Sequence, residues 1–480
     1  MGTAIITVMP TRTIKEKENL KNVGLITSII TFGESIRLWL GYDQQLPGFQ
    51  YIAKFDWINL GNYKINMLFG IDGISLCFIL LTGLLIPICI LISWESVKKL
   101  EKQYIVSLFL IEILLIGVFT ILDIIGFYIL FEAILIPMFI IIGVWGSREQ
   151  KITAAYYFFF YTLIGSVLML ISILYLYSLA GSTDYFTLLG LELDLNIQKW
   201  IFLAFFASMA VKIPKWPLHI WLPQAHVEAP VAGSVLLAGI LIKLGSYGFI
   251  RFCLPLLPEG SKFFAPFVFT LAVIAILYAS LTTLRQTDLK RIIAYSSVGH
   301  MGVVMLGIFS FSVIGMEGSI FLQLAHGIVS SALFIVVTLL YDRFHTRLVK
   351  YYRGITITMP LFSIFFLLFT LANIGTPLTC NFVGEILCLL GVFEVNTFIG
   401  LLGCIGMVLS AGYALFLYNR VSFGSMSPYL AGSPANRDLS RREFFCLFPL
   451  TLLTLYLGIY PKGVMELIHT STMSIISIVS

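Results

Sequence analysis

The chain has 480 residues, of which 59% are hydrophobic and only 11% are charged, with a formal net charge of +5 and a mean hydropathy of +0.96. Soluble globular domains carry roughly 25% charged residues, so this composition excludes an ordinary soluble domain and favours a membrane protein. A spanning helix needs about 20 mostly apolar residues, so the length accommodates more than a dozen spans.

Residues 1–22 precede the first long apolar segment and are polar in their second half. They lack the long hydrophobic stretch of a secretory signal peptide. A short basic matrix-targeting sequence is the alternative, and Glu16 and Glu18 argue against it. Residues 1–103 are expected to form an N-terminal region with two clear helices.

Thirteen apolar segments are predicted to be helices, which makes the fold an all-α polytopic membrane protein of about 13–14 spans. The predicted segments are 23–40, 68–94, 104–122, 124–145, 154–180, 199–224, 230–254, 263–284, 289–309, 313–341, 358–394, 398–419 and 444–461. Prolines interrupt the sixth segment at Pro214, Pro217 and Pro223, and Pro377 follows Gly375 in the eleventh. A proline removes a helical hydrogen bond, so both segments are predicted to be broken helices that border protein or a polar cavity.

The loops between these segments alternate in charge along the whole chain. Basic loops contain Lys98, Lys99 and Lys102, then Arg148 and Lys151, then Arg285, Lys290 and Arg291, then Arg343, Arg347, Lys350 and Arg353, and finally Arg420, Arg437, Arg441 and Arg442. The intervening loops are acidic or nearly neutral. This alternation is the positive-inside pattern, and it supports the segment count because one missed helix would invert it.

The seven cysteines lie scattered in apolar segments, and no two of them form a CxxC pair. This spacing argues against zinc, an iron–sulfur cluster or a disulfide framework. The sequence also lacks a P-loop and a strand-anchored GxGxxG motif, so we predict no cofactor site in this chain.

Several ionisable residues lie inside the apolar segments, where each costs at least about 2.5–3.5 kcal/mol at a helix centre. They are Glu112, Glu132, Lys212, Lys243 and Glu385, with His300 and His326 as weaker candidates. Burial disfavours the charged form of each group, whereas an approaching opposite charge favours it. A carboxylate–lysine pair that opens and closes is therefore a switchable proton-binding site, and several in a row form a relay.

A static role is the alternative for each of these residues. Glu132 and Lys212 alone could be one buried ion pair that fixes helix packing, and the histidines could be hydrogen-bonded packing residues. Glu112 could pair with a neighbouring helix or subunit. Further polar residues lie between or beside segments: His219, His226 and Glu228 line or cap a polar entrance, and Asp72 is expected to cap a helix N-terminus.

Residues 209–251, MAVKIPKWPLHIWLPQAHVEAPVAGSVLLAGILIKLGSYGFIR, resemble the signature of the antiporter-like subunits of respiratory complex I, a family related to Mrp-type sodium/proton antiporters. Further stretches resemble one branch of that family: FEAILIPMFIIIGVWGSR, LRQTDLKRIIAYSSVGHMG, LAHGIVSSALF, LYDRFHTRLV and ANIGTPLTCNFVGE. The resemblance runs from about Gly70 to Arg420. Related branches carry a lysine where this chain has Glu385, and YDRFHTR is similar to the mitochondrial form.

The resemblance implies two five-helix repeats of inverted topology, 104–254 and 263–419, each with one broken helix, followed by a C-terminal loop and last helix over 420–480. It implies that Glu132 and Lys212 form a coupled pair, that Lys243 is the central relay lysine, and that Glu385 ends the second half-channel. His300 and His326 would lie along the hydrated axis between them.

By the same resemblance the chain pumps protons, while NADH, FMN, iron–sulfur clusters and ubiquinone are bound by partner subunits. Expected partners are other complex I membrane subunits, especially antiporter-like ones, and the lipid bilayer, with no nucleic acid. The expected location is the mitochondrial inner membrane, with a bacterial plasma membrane as the alternative. A sodium/proton antiporter chain and a static membrane scaffold remain competing interpretations.

The chain departs from the family pattern at four places. The family's first helix is replaced by residues 1–22, and Lys215 stands where an apolar residue is usual. Gln224 replaces a common acidic residue, and Cys380 replaces the glycine before Asn381. The four main charges are unaffected.

Overall fold

The computed structural model describes residues 2–60, 63–431 and 437–479, and these residues are predominantly helical. The helices are numbered in chain order. They are α1 (Gly2–Val8), α2 (Ile14–Leu40), α3 (Gly73–Ile92), α4 (Glu101–Thr120), α5 (Ile124–Ala133), α6 (Leu135–Trp145), α7 (Lys151–Ala180), α8 (Tyr185–Leu189), α9 (Leu195–Lys212), α10 (Trp221–Glu228), α11 (Val231–Leu236), α12 (Lys243–Gly248), α13 (Leu254–Leu256), α14 (Pro258–Leu284), α15 (Leu289–Phe309), α16 (Val313–Phe344), α17 (Pro360–Ile374), α18 (Cys380–Val395), α19 (Thr397–Ser422), α20 (Pro428–Ala431), α21 (Arg441–Ile459) and α22 (Lys462–Val479). Short 3₁₀ turns occur at Val349–Tyr351 and Ile355–Ile357.

Eleven helical stretches among the described residues are long and apolar enough to cross a membrane. They correspond to eleven of the thirteen predicted segments, which confirms the polytopic helical fold. The two others, 199–224 and 358–394, are the segments predicted to be interrupted, and each is divided into two shorter helices. Breaks therefore explain why these two do not qualify as single long spans.

Both predicted breaks are present. Helix α9 ends at Lys212 and α10 begins only at Trp221, with Pro214 and Pro217 between them. Helix α17 ends at Ile374 and is followed by Gly375, a left-handed C-cap residue with φ of +78°, and α18 begins at Cys380. A residue without a Cβ adopts this conformation at little cost, so Gly375 fixes the position of the second break.

The N-terminal region differs from the prediction in two ways. Helix α2 begins at Ile14 rather than near residue 23, because Thr13 and Glu16 form a capping box that satisfies its first backbone N–H groups. Strands β1 (Gln50–Leu60) and β2 (Tyr63–Ile71) form an antiparallel hairpin that the sequence analysis did not predict. As a result, α3 begins at Gly73 instead of residue 68.

The predicted helix 230–254 is continuous but irregular. Two π-helical segments, Leu237–Leu241 and Phe249–Cys253, lie on either side of α12. All residues of this stretch and most of α16 are buried, whereas only a minority of the residues of α2, α19 and α21 are buried. The centre of the bundle is therefore the contact between α16 and the π-helical stretch.

A final helix, α22, follows the last predicted segment and was not predicted. It buries Leu467, Ile468, Ser471 and Ile475 and packs against α3 and α16. The 3.6-residue spacing of these buried positions shows an amphipathic helix that covers one end of the bundle.

Candidate functional site: a buried row of lysine, histidine and glutamate

Lys243 and His326 are in direct contact at the centre of the bundle. The Nζ atom of Lys243 lies 2.9 Å from Nδ1 of His326 and also donates a hydrogen bond to the carbonyl of Ala238. The other ring nitrogen of His326, Nε2, lies 3.1 Å from the hydroxyl oxygen of Ser297 on α15. Lys243 is fully buried, so these neighbours and not bulk water surround its ammonium group.

Glycines allow this contact because they bring two helix backbones together. Gly239 in the first π-helical segment faces Gly327 on α16, and a Cβ atom on Gly327 would lie 2.9 Å from the carbonyl oxygen of Gly239. Real Cβ atoms essentially never approach this closely. Gly239 lies one helical turn before Lys243, and Gly327 directly follows His326. The close approach of the two backbones therefore sets the distance between the Lys243 and His326 side chains.

His300 and Glu385 form a second contact beside the first. Nδ1 of His300 lies 2.9 Å from Oε1 of Glu385, and Nε2 of His300 lies 3.2 Å from Oδ1 of Asn373. The rings of His300 and His326 are 5.4 Å apart between centroids. Lys243, His326, His300 and Glu385 therefore lie in one row from α12 through α16 and α15 to α18, in which a ring contact joins the two histidines.

The second helix break positions the carboxylate of Glu385. A Cβ atom on Gly375 would lie 2.5 Å from Oε2 of Glu385, so the space over the broken backbone is occupied by the carboxylate itself. A cavity of about 20 Å³ borders Glu385 and His300, together with Ser296, Ser410 and Tyr413. A volume of this size is comparable with what one water molecule needs, and the lining supplies hydroxyl partners.

Glu132 and Lys212 lie at the ends of α5 and α9, but they are not in contact. Both carboxylate oxygens of Glu132 are buried, and neither has a hydrogen-bond partner among the described residues. Lys212 instead places Nζ 4.2 Å from the ring centroid of Phe131 and 3.4 Å from its carbonyl oxygen. The two predicted partners are therefore close together without forming an ion pair, since Lys212 contacts Phe131, the residue before Glu132.

Glu112 is buried on α4 and accepts a hydrogen bond of 2.7 Å from the hydroxyl of Thr31 on α2. It makes no contact with the six other candidate residues among those the structure describes. The structure therefore places Glu112 at a helix–helix contact apart from the row.

The three residues of the predicted entrance have different surroundings. His226 is completely buried and stacks on Phe334 at 4.6 Å between ring centroids, and neither ring nitrogen has a hydrogen-bond partner in the described part of the chain. His219 packs edge-on against Tyr278 and Tyr295. The Oε1 atom of Glu228 lies 3.7 Å from a guanidinium nitrogen of Arg347.

The sequence analysis missed several buried charges that surround the row. Asp72 caps α3 as predicted, with its carboxylate accepting from the Ser75 backbone, but it also forms a 2.5 Å ion pair with Arg251. Lys290 and Arg347 were assigned to solvated loops, yet both are buried, and Lys290 donates to the carbonyl of Ala229 at 3.1 Å.

Asn373, the partner of His300, was also missed. Its signal in the sequence was an amide inside an apolar segment, two residues before the predicted break at Gly375. Within the described ranges, no group of three or more histidine, cysteine, aspartate or glutamate residues is arranged to hold a metal ion.

A bundle of spanning helices with two broken helices and a buried row of ionisable side chains defines a polytopic membrane protein of the ion-translocating kind. The model of the NADH:quinone oxidoreductase/Mrp antiporter transmembrane family matches residues 122–419. That range contains all of the candidate residues except Glu112.

Curated relatives are similar over nearly the whole chain. NADH-ubiquinone oxidoreductase chain 4 of Metridium senile is 56% identical over 95% of this chain and 92% of its own length. The protein of the same name from Chondrus crispus is 51% identical over 100% of this chain and 96% of its own.

A solved structure of respiratory complex I from Thermus thermophilus with bound NADH contains a chain with a TM-score of 0.87. That chain is 28% identical, with coverage of 100% of this chain and 97% of that one. This chain belongs to the NADH-ubiquinone oxidoreductase chain 4 family, within the NADH:quinone oxidoreductase/Mrp antiporter transmembrane family. The resemblance noted in the sequence, and the branch of the family that it favoured, are confirmed.

Proposed function

We propose that this chain carries protons across the membrane as an antiporter-like subunit of complex I, with the buried row as its path. The observation that carries the proposal is the series of contacts from Lys243 through His326 and His300 to Glu385. Nζ of Lys243 lies 2.9 Å from Nδ1 of His326, and Nδ1 of His300 lies 2.9 Å from Oε1 of Glu385. Buried ionisable residues in spanning helices commonly form such relays. The electron-transfer chemistry takes place in partner subunits.

Lys243 and His326 exchange a proton directly. When the ammonium of Lys243 donates to Nδ1 of His326, the ring N–H lies at Nε2 and points to the hydroxyl of Ser297. Transfer of the Lys243 proton to Nδ1 leaves an imidazolium beside the ring of His300. The charge therefore moves one step along the row without any large motion of a side chain.

His300 passes the charge to Glu385. Both nitrogens of His300 face oxygen atoms, one on Glu385 and one on the amide of Asn373. The imidazolium donates from both ring nitrogens to these two oxygens. Transfer of the Nδ1 proton to Oε1 of Glu385 leaves a neutral ring whose Nε2–H still donates to Asn373, while the new carboxylic acid donates back to Nδ1, so Glu385 receives the proton beside a cavity large enough for one water molecule.

Glu132 and Lys212 act as the switch of the first half of the path. In the present arrangement the Lys212 ammonium rests over the ring of Phe131 while the Glu132 carboxyl has no partner. Closing the pair favours the charged form of both groups, and opening it favours release of the Lys212 proton. Alternation between the two arrangements loads and unloads the buried row. Glu112 lies outside this route and modulates it through α2 and α4.

Replacement of Lys212 with methionine tests this role. We expect Lys212→Met to assemble, to lose proton pumping and to depress coupled NADH:quinone turnover, because Glu132 loses the charge that switches it. Lys212→Arg is the matched control, since it keeps the cation but does not release the proton. Assembled Lys212→Met enzyme that pumps at the parent proton-to-electron ratio would refute the relay and favour a static scaffold.

The two breaks support the division into five-helix repeats over 104–254 and 263–419, with the N-terminal region before them and 420–480 after them. In each predicted repeat the broken helix is the fourth of five, namely α9–α10 in the first and α17–α18 in the second. Lys212 lies at the first break and Glu385 follows the second. Inverted repeats with paired broken helices are common in secondary transporters.

We infer that the chain works in the mitochondrial inner membrane, beside other antiporter-like membrane subunits and without a cofactor of its own. The relatives from Metridium senile and Chondrus crispus are eukaryotic chains and support this location. NADH, FMN, iron–sulfur clusters and ubiquinone belong to the partners in this proposal. Purification in mild detergent tests it: we expect NADH dehydrogenase activity and redox subunits to copurify, and recovery of the chain alone would contradict the proposal.

A further inference from the structure

Lys215 is a second lysine at the first helix break, three residues after Lys212. Its side chain is only 1% exposed. The backbone N–H of Lys215 bonds to the carbonyl of Ala210 at 3.2 Å, so the chain turns immediately where α9 ends. The Nζ atom of Lys215 reaches α15, where it faces the backbone of Met301.

Among the residues that the structure describes, no carboxylate pairs with the Lys215 ammonium. Its one side-chain partner among the described residues is the carbonyl oxygen of Met301, at 3.4 Å from Nζ. This distance lies beyond the usual range for an N–H···O hydrogen bond. The two buried arginines differ from it, since Arg251 faces the carboxylate of Asp72 and Arg347 that of Glu228.

A permanently charged group is unsuited to such a place, because burial without a carboxylate penalises the ammonium and not the neutral amine. Lysine, unlike arginine, is able to lose its proton in these surroundings. The neutral amine has a free lone pair with which to accept a proton. Lys215 therefore has the environment of a group that is charged only transiently.

The position of Lys215 connects the two halves of the path. It follows the Lys212 switch on one side, and its Nζ contacts the backbone of Met301, which is the residue after His300, on the other. Helix α10, which begins beyond the same break, also packs against α15. A side chain at this point spans from the first broken helix to the helix that carries His300.

We propose that Lys215 is a further proton-carrying residue, which takes a proton from the Lys212 site and delivers it to the His300 side of the row. The inference rests on the proposed function. In each transfer the amine gains a proton at Nζ and then loses it again, so no bond between heavy atoms changes and no co-reactant is needed. The path through Lys215 lies in series with the Lys212 switch.

The test uses Lys215→Met, Lys215→Gln and Lys215→Arg in the whole assembled complex, with Lys212→Met measured alongside. Proton uptake into inverted vesicles is recorded per NADH oxidised. We expect all three Lys215 variants to lower the ratio by the same fraction as Lys212→Met. Arginine fails as well because the guanidinium does not release its proton. Combining Lys215→Met with Lys212→Met should cause no further loss, as for two steps in series.

Three results would overturn the inference. The first is a parent proton-to-electron ratio in Lys215→Met. The second is a normal ratio in Lys215→Arg together with a loss in Lys215→Met. Either result would assign Lys215 to packing through the Met301 carbonyl. Failure of all three variants to assemble would do the same. If Lys212→Met loses pumping while the Lys215 variants keep it, only this inference fails; if Lys212→Met also pumps normally, the proposed function fails with it.

Discussion

The buried ion pair between Asp72 and Arg251 should contribute strongly to the stability of the folded protein. The two side chains are almost completely buried, and Oδ2 of Asp72 lies 2.5 Å from a guanidinium nitrogen of Arg251. Nε of Arg251 also donates to the hydroxyl of Tyr247 at 3.1 Å, and its guanidinium lies 4.8 Å from the ring centroid of Phe49. Removing one member of a buried pair leaves the other charge unpaired, which costs about 3–5 kcal/mol.

Arg251→Met should therefore destabilise the protein by about 3–5 kcal/mol, whereas the double variant Asp72→Ser with Arg251→Met should recover much of that loss. Serine removes the stranded carboxylate and still caps α3. The assay is the midpoint of heat-induced disassembly of the detergent-purified complex, with each single variant as control in a double-mutant cycle. A double variant less stable than Arg251→Met alone would refute this reasoning.

Three further predictions concern the helix break, a surface ion pair and the topology. Gly375→Ala should lower the free energy of unfolding by about 1–2 kcal/mol, because the left-handed backbone disfavours a side chain. The added methyl should also displace the Glu385 carboxylate and lower the proton-to-electron ratio in vesicles. Unchanged pumping would show that the contact between Gly375 and Glu385 does not matter for transport. The hydrogen bond from Arg442 lowers the pKa of Glu95 below 4.5, so its stabilisation is present above that pH and lost as the pH falls through the lower value. Because Glu95 is well exposed, Arg442→Ala should cost at most about 1 kcal/mol near neutral pH. This cost should shrink as the pH falls through the lowered pKa of Glu95, as read from thermal midpoints across that pH range. Cysteines introduced at Lys350 and at Glu259 should react with an impermeant thiol reagent from opposite sides of the membrane, and labelling of both from one side would contradict the alternating-charge topology.

The broken helices and the charged row were predictable because each has a strong local cause. Proline at Pro214 and Pro217 removes backbone donors whatever the surroundings, and a charge such as Lys243 inside an apolar segment is too costly to be accidental. The hairpin over residues 50–71 was missed because its second strand continues directly into the apolar segment of α3. The two π-helical segments have no sequence signal of their own, since they depend on packing.

Partners of the charged residues were beyond reach of the sequence because they come from distant parts of the chain. Arg347 and Lys290 read as loop charges, and only the tertiary fold buries them against the α10–α11 connection. The contact between His300 and Glu385 joins helices 85 positions apart in the chain. Proximity of Glu132 and Lys212 was expected from family resemblance, but the open arrangement over Phe131 was not.

Proton pumping by Glu385→Gln tests the central claim most directly. The glutamine oxygen still accepts from Nδ1 of His300, so the volume and hydrogen bonding of the row remain while ionisation is lost. We expect assembled Glu385→Gln complex to take up far fewer protons per NADH oxidised than the parent, and Glu385→Lys to retain more because a buried lysine also exchanges protons. If Glu385→Gln pumps at the parent ratio, or Glu385→Lys pumps worse than Glu385→Gln, the row does not carry protons to Glu385.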